Sequence, residues 1–141
     1  MRIWHIDLLP YLPDRQFRGQ LRELVYILHA VQRSGTPNHI LVNFVTEYPP
    51  GDLTEYFHVY ADEYQRRYGK PVAERIFREF DGYADRSHRR PFPGQMDRGY
   101  LDICLSNLYE KHRYGRGGSR ISDSEYRRLC DGYQSAVDFA F

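Results

Sequence analysis

Apolar residues recur along most of this chain at spacings of three and four, the repeat of helices with one side turned inward. The longest such run predicts a helix over Arg15–Arg33, opened by Pro13 and Asp14 and stopped by Gly35. Phe17, Leu21, Leu24, Leu28 and Val31 form its apolar stripe. Arg18, Arg22, Tyr26, His29 and Arg33 form a second stripe, basic and aromatic, with no carboxylate among its members. Such a stripe is either an ordinary solvated face or an anion-binding one. Glu23 projects to a third side, beside Gln16 and Ile27 at the edge of the apolar stripe. Partial burial there raises a carboxyl's pKa.

Four shorter helices follow from the same periodicity. One starts at Asp52, where Asp52 and Glu55 fit a capping-box-like pattern, and carries Leu53, Tyr56, Phe57, Tyr60 and Tyr64 up to Gly69. Pro71 opens the next, with Val72, Ile76 and Phe80 inward. A fourth spans about Asp97–His112, with Leu101, Cys104, Leu105 and Leu108 inward. A fifth begins near Ser122, where Ser122 and Glu125 make another capping box ahead of Tyr126, Leu129, Tyr133 and Val137. Between the first two, the β-branched run Ile40–Val45 reads as a buried extended segment without a strand partner. The expected fold is all-α, a single compact domain over residues 1–141 with about five helices and irregular connections.

Composition changes this picture little. Hydrophobic residues make up 41% and charged residues 28% of 141, ordinary globular usage. The net charge of +1 is low for a nucleic-acid binder. Its distribution is uneven: residues 86–120 hold eight basic and three acidic residues, whereas residues 51–85 hold five and eight. Of the 20 basic residues all but Lys70 and Lys111 are Arg, the better side chain for bidentate phosphate contact. Arg89 and Arg90 fall in the basic loop 86–91. Arg113, Tyr114 and Arg116 fall in a Gly-Arg loop over 113–120 whose interleaved Arg and Tyr suit phosphate contact and base stacking, or simply connect two helices.

Two cysteines make no disulfide framework, no apolar run spans a membrane, and no leader pattern opens the chain, so a reduced cytoplasmic setting is expected. Six scattered histidines lack metal-ligand spacing, although His5 and Asp7 would point one way from an extended segment. The absence of GxxxxGK[ST] and GxGxxG argues against a nucleotide cofactor. No metal and no cofactor is expected.

The most specific signal lies at the start. The chain opens Met1-Arg2-Ile3-Trp4-His5, and Asp14-Arg15-Gln16-Phe17 then leads into Gln20-Leu21-Arg22-Glu23-Leu24. This resembles the pyrimidine-dimer DNA glycosylases, which open with a residue-Arg-Ile/Val sequence and reach an Arg-Glu-Leu triplet on their first long helix after a similar interval. Asn43-Phe44-Val45-Thr46 and the helix after it resemble the family's aromatic loop and second helix. The stretch Lys111–Gly118 is similar to its basic, aromatic, glycine-ended segment.

The resemblance implies an all-α enzyme acting on double-stranded damaged DNA, with pyrimidine dimers as the lesion and abasic-site lyase activity alongside base excision. It implies that the chain's own amine, here on Met1, is the nucleophile, that Glu23 is the acid/base, and that Arg2 and Arg22 grip phosphates beside the lesion. The chemistry is reasonable. An α-amine titrates at about 7.7–8.0 against about 10.4 for lysine, so roughly a tenth of it is neutral and nucleophilic at pH 7, far more than of a lysine. Two departures stand out: Met1 replaces the family's small hydroxyl residue, and Val25, Tyr26 and Ile27 occupy a stretch where the family tends to carry a further basic residue. Two other functions fit the residues. One is a non-catalytic nucleic-acid-binding module using Arg18, Arg22, His29, Arg33 and the Gly-Arg loop. The other is a helical interaction domain that presents its tyrosines to a protein partner.

Overall fold

The computed structural model describes residues 1–117 and 120–140, with backbone alone over 138–140. Among the described residues it is 68% helical and has no strand. Five α-helices run in order: α1 (Asp14–Ser34), α2 (Gly51–Tyr68), α3 (Glu74–Tyr83), α4 (Arg98–Arg113) and α5 (Asp123–Ala140). Two short 3-10 helices, Ile6–Tyr11 and Asn43–Glu47, lie in the connections. The fold is thus the all-α fold expected. Of the Gly-Arg loop, Gly118 and Ser119 lie outside the described residues.

The chain forms two packing units. The first comprises residues 1–3 and 20–95, and it holds most of α1 together with α2 and α3. Phe57 stacks on Phe80 at 4.2 Å between ring centroids and meets Phe77 edge-on at 5.0 Å. Phe92 is fully buried, and Phe44 and Tyr48 approach it edge-on. The Thr54 hydroxyl donates to the Phe80 carbonyl, tying α2 to the last turn of α3. Gly35 and Gly69 end α1 and α2 at φ +77° and +69°, the left-handed conformation that glycine adopts without steric penalty. In each case the glycine N–H closes the final turn, onto Val31 and Gln65 respectively.

Three expectations for this unit fail, the first being that α3 starts at Glu74 rather than at Pro71, so that Val72 is buried ahead of the helix and not on it. Residues 40–45 form no extended segment: the chain turns at 40–42 and enters the 3-10 helix from Asn43, leaving Ile40 88% exposed while Val42 and Val45 are buried. The turn is held by side chains. The Asn43 carboxamide oxygen accepts from the His39 N–H at 2.8 Å, and the Thr36 hydroxyl accepts from the Asn38 N–H at 3.1 Å. Nor does Asp52 cap α2, which begins at Gly51 with no side-chain cap. Asp52 and Glu55 are instead buried carboxylates gripped from the loop that follows α3. Arg89 holds Asp52 through two bonds, 3.0 and 2.7 Å, and the Phe92 N–H adds a third at 3.0 Å. Arg86 holds Glu55 likewise at 3.1 and 2.8 Å, joined by the His88 N–H at 2.9 Å. An isolated buried carboxylate is costly, and a planar guanidinium plus a backbone donor is the arrangement that offsets it.

The second unit comprises residues 4–19 and 96–141, with the first 3-10 helix, the opening turns of α1, α4 and α5. The expected extended segment around His5 and Asp7 is absent. His5 caps the 3-10 helix through Nδ1, which accepts from the Asp7 N–H. Asp97 caps α4, and the predicted box at α5 is reciprocal: the Ser122 hydroxyl accepts from the Glu125 N–H and the Glu125 carboxylate accepts from the Ser122 N–H. The Tyr126 ring lies parallel to His112 at 4.3 Å, and the Tyr133 hydroxyl bonds Asp102, which joins α5 to α4. Gly132 faces the Tyr11 ring so closely that a Cβ there would sit 2.0 Å from it.

Candidate functional site

The N-terminal residues of the first unit lie along the side of α1. Ile3 is fully buried, which holds in place a terminus that would otherwise fray. The Arg2 N–H donates to the Glu23 Oε2 at 3.3 Å, and the Arg2 carbonyl accepts from the Gln20 Nε2 at 2.9 Å. Both backbone groups of residue 2 are therefore taken by side chains three residues apart on α1. The consequence is geometric: the Met1 amine stands 4.0 Å from the Glu23 Oε1.

Glu23 is half-buried, and its environment is mixed. Loss of hydration raises its pKa above the ordinary carboxylate value. The Arg2 N–H, the Met1 ammonium and the charges of Arg22 and Arg2 oppose that shift without cancelling it. The edge-of-stripe position read from the sequence has the electrostatic effect expected of it. A carboxyl with raised proton affinity beside an amine can accept a proton from it and can stabilise positive charge that develops on its nitrogen. The separation of 4.0 Å is an ion-pair distance rather than a hydrogen bond. Such contacts are often long before substrate binds.

Gln20 and Tyr56 belong to this site, and neither was singled out from the sequence. Both are fully buried. The Tyr56 hydroxyl, reaching from α2, donates to the Gln20 Oε1 at 3.2 Å, and the Gln20 Nε2 also lies 3.5 Å from the Glu23 Oε2. One signal was available. Gln20 sits three residues after Phe17 and four before Leu24, at a stripe position where an apolar residue is the ordinary choice.

The remaining candidates are distributed between the units. In the first, Arg22 and Arg33 are exposed on α1, and His29 meets Glu79 of α3 at 3.0 Å. The predicted carboxylate-free stripe is thus supplied with a carboxylate from another helix. Arg89 is committed to Asp52, and Arg90 is exposed beside it. In the second, Arg18 pairs with Asp14 at 2.9 Å. Arg113 lies over the Tyr114 ring at 5.7 Å, while Tyr114 is 71% exposed and Arg116 is exposed. Elsewhere in the first unit a cavity of about 210 Å³ is lined by Val31, Val45, Tyr48, Leu53 and Tyr83 among others. No charged side chain lines it. Among the described residues no cluster of three or more His, Cys, Asp or Glu is placed to hold a metal ion. No helix among them is long and apolar enough to cross a membrane.

The class defined by these features is an all-α protein with an amine and a perturbed carboxyl brought together at the chain terminus. The family model described as pyrimidine dimer DNA glycosylase matches residues 1–74, more than half of the 141, and the chain belongs to that family. The family's enzyme class is DNA glycosylase and its substrate is DNA. No curated protein and no solved structure matches the chain.

Proposed function

We propose that the protein excises pyrimidine dimers from double-stranded DNA and then cuts the strand as an abasic-site lyase, with the Met1 amine as nucleophile and Glu23 as acid/base. One observation carries this reading: the amine lies 4.0 Å from a carboxyl whose pKa is raised by burial. In the first step the neutral amine attacks C1′ of the damaged nucleotide. The C1′–N bond breaks, the base leaves with the electron pair and takes up a proton, and the nitrogen becomes an imine as the sugar ring opens. Glu23 accepts the proton released by the amine and passes it to O4′ as the ring opens; returned to the carboxylate, it stabilises the protonated imine. The imine acidifies C2′. Removal of a C2′ proton expels the 3′ phosphate by β-elimination, and water hydrolyses the imine to release the amine. The target nucleotide must leave the base stack before C1′ becomes accessible. Arg2 and Arg22 flank the carboxyl and are the residues we assign to the phosphates beside it.

The test is borohydride trapping with two duplexes, one carrying an abasic site and one a cyclobutane thymine dimer. Covalent adducts with both, lost on N-terminal acetylation, are expected. An adduct with abasic DNA alone would retain the amine chemistry and discard the dimer as substrate. Adducts with neither would leave a binding module without catalysis.

A further inference from the structure

Gln20 occupies a core position on α1, and its buried carboxamide touches three separate parts of the first unit. Its Nε2 faces the Arg2 carbonyl and the Glu23 carboxylate, and its Oε1 faces the Tyr56 hydroxyl. Only one orientation of the amide satisfies all of these. Rotated by half a turn, its carbonyl would oppose the Arg2 carbonyl and a carboxylate, acceptor against acceptor, in a site with no exposed surface at Gln20. The Tyr56 hydroxyl selects the productive orientation from the far side. With Gln20 on the carbonyl of Arg2 and Glu23 on its N–H, residue 2 is clamped from both ends, and the nitrogen one residue earlier is left with little room to move.

We infer that Gln20, oriented by Tyr56, is a positioning residue that sets the Met1 amine against Glu23 by clamping the backbone of Arg2, without itself touching DNA. This inference rests on the proposed role of the amine. A leucine would fill the volume but leave these bonds to the Arg2 carbonyl and the buried Tyr56 hydroxyl unmade. The amide satisfies both groups and, in doing so, fixes where residue 2 sits. Rates of reactions that depend on near-attack geometry fall about 100-fold for an ångström of misplacement, so the effect belongs in the chemical step rather than in binding.

The experiment compares the wild type with Tyr56→Phe and Gln20→Leu, using single-turnover borohydride trapping on abasic duplex, duplex affinity, thermal unfolding and hydrogen exchange of the Arg2 amide. Tyr56→Phe removes one hydroxyl and is the variant that keeps the test open if Gln20→Leu does not fold. We expect trapping to slow about 10-fold in Tyr56→Phe and about 100-fold in Gln20→Leu, with affinity unchanged within about threefold and faster exchange at Arg2. The acid limb of the trapping rate, identified as the limb absent from Glu23→Gln, moves to higher pH, because a loosened clamp withdraws donors from the carboxylate. Wild-type rates in both variants overturn the positioning role and leave the glycosylase reading intact. Slowing that only follows lost thermal stability, with the limb unmoved, makes Gln20 a satisfied core amide and also overturns it. A wild type that traps nothing removes the nucleophile, and the positioning role with it.

Discussion

Glu23→Gln separates charge from shape at the proposed centre. The substituted amide fills the same volume, and its oxygen still accepts from the Arg2 N–H now bonded to Glu23. What it loses is the negative charge 4.0 Å from the amine. Two unit charges at that distance interact by about 4 kcal/mol at an effective dielectric of about 20. The amine and the carboxyl are 17% and 32% exposed, and solvent screening reduces this to about 2 kcal/mol. That corresponds to roughly a 30-fold loss in stabilising the protonated imine. Loss of the proton acceptor multiplies it, since acid–base groups contribute about 10²–10⁴, and the combined fall in trapping rate is at least about 10³. Stability moves in the opposite direction. The folded-state pKa of Glu23 is raised, so folding binds its proton more tightly, and the ionised carboxylate opposes folding above that pKa. At pH 7 the variant is therefore at least as stable as the wild type. The assays are single-turnover borohydride trapping and thermal unfolding. Trapping within threefold of wild type, or a lowered Tm, would refute the reasoning.

The buried ion pairs predict an acid transition in the first unit. Burial disfavours the Asp52 charge, yet Arg89 and the Phe92 N–H hold its carboxyl below the usual range, and Arg86 does the same for Glu55. Their contribution is complete above the unfolded pKa values of about 4 and is lost as pH falls through the lower folded values, so chemical unfolding followed between pH 5 and 2 should show falling stability that Asp52→Asn flattens. Asp52→Ala should cost about 2 kcal/mol at pH 7, less than a fully buried pair because Arg89 is 46% exposed; an unchanged urea midpoint would contradict this. In the second unit, Gly132→Ala drives a Cβ into the Tyr11 ring and should lower stability by about 2 kcal/mol, which thermal unfolding reads directly. Binding to duplex DNA should weaken with salt, and Arg22→Ala should reduce the log–log salt slope by about 1, whereas an unaltered slope would remove Arg22 from the phosphate contacts.

The helices were legible because the spacing of apolar residues is local information. The reciprocal Ser122–Glu125 cap is the clearest case, since both partners lie within one turn. The failures occurred where distant residues decide. Asp52 and Glu55 have the spacing of a capping box, but their partners are more than 30 residues away, and two guanidiniums outweigh a local cap. The β-branched residues of 40–45 favour extended backbone by propensity alone, and the side chains of Thr36, His39 and Asn43 fold that stretch into a turn. At the candidate site the Arg-Glu-Leu triplet and its distance from Met1 were visible in the sequence. The clamp on Arg2 was not, because it needs Tyr56 from a second helix and a glutamine whose position reads as core.

The central claim is that the N-terminal nitrogen carries the chemistry, and the position of the covalent bond tests it most directly. Adduct trapped on abasic duplex would be digested and its modified peptide sequenced by mass spectrometry. The account predicts deoxyribose reduced onto the α-nitrogen of Met1. Attachment to Lys70 or Lys111, the only lysines in the chain, would contradict it and leave the Met1–Glu23 pair without a chemical role.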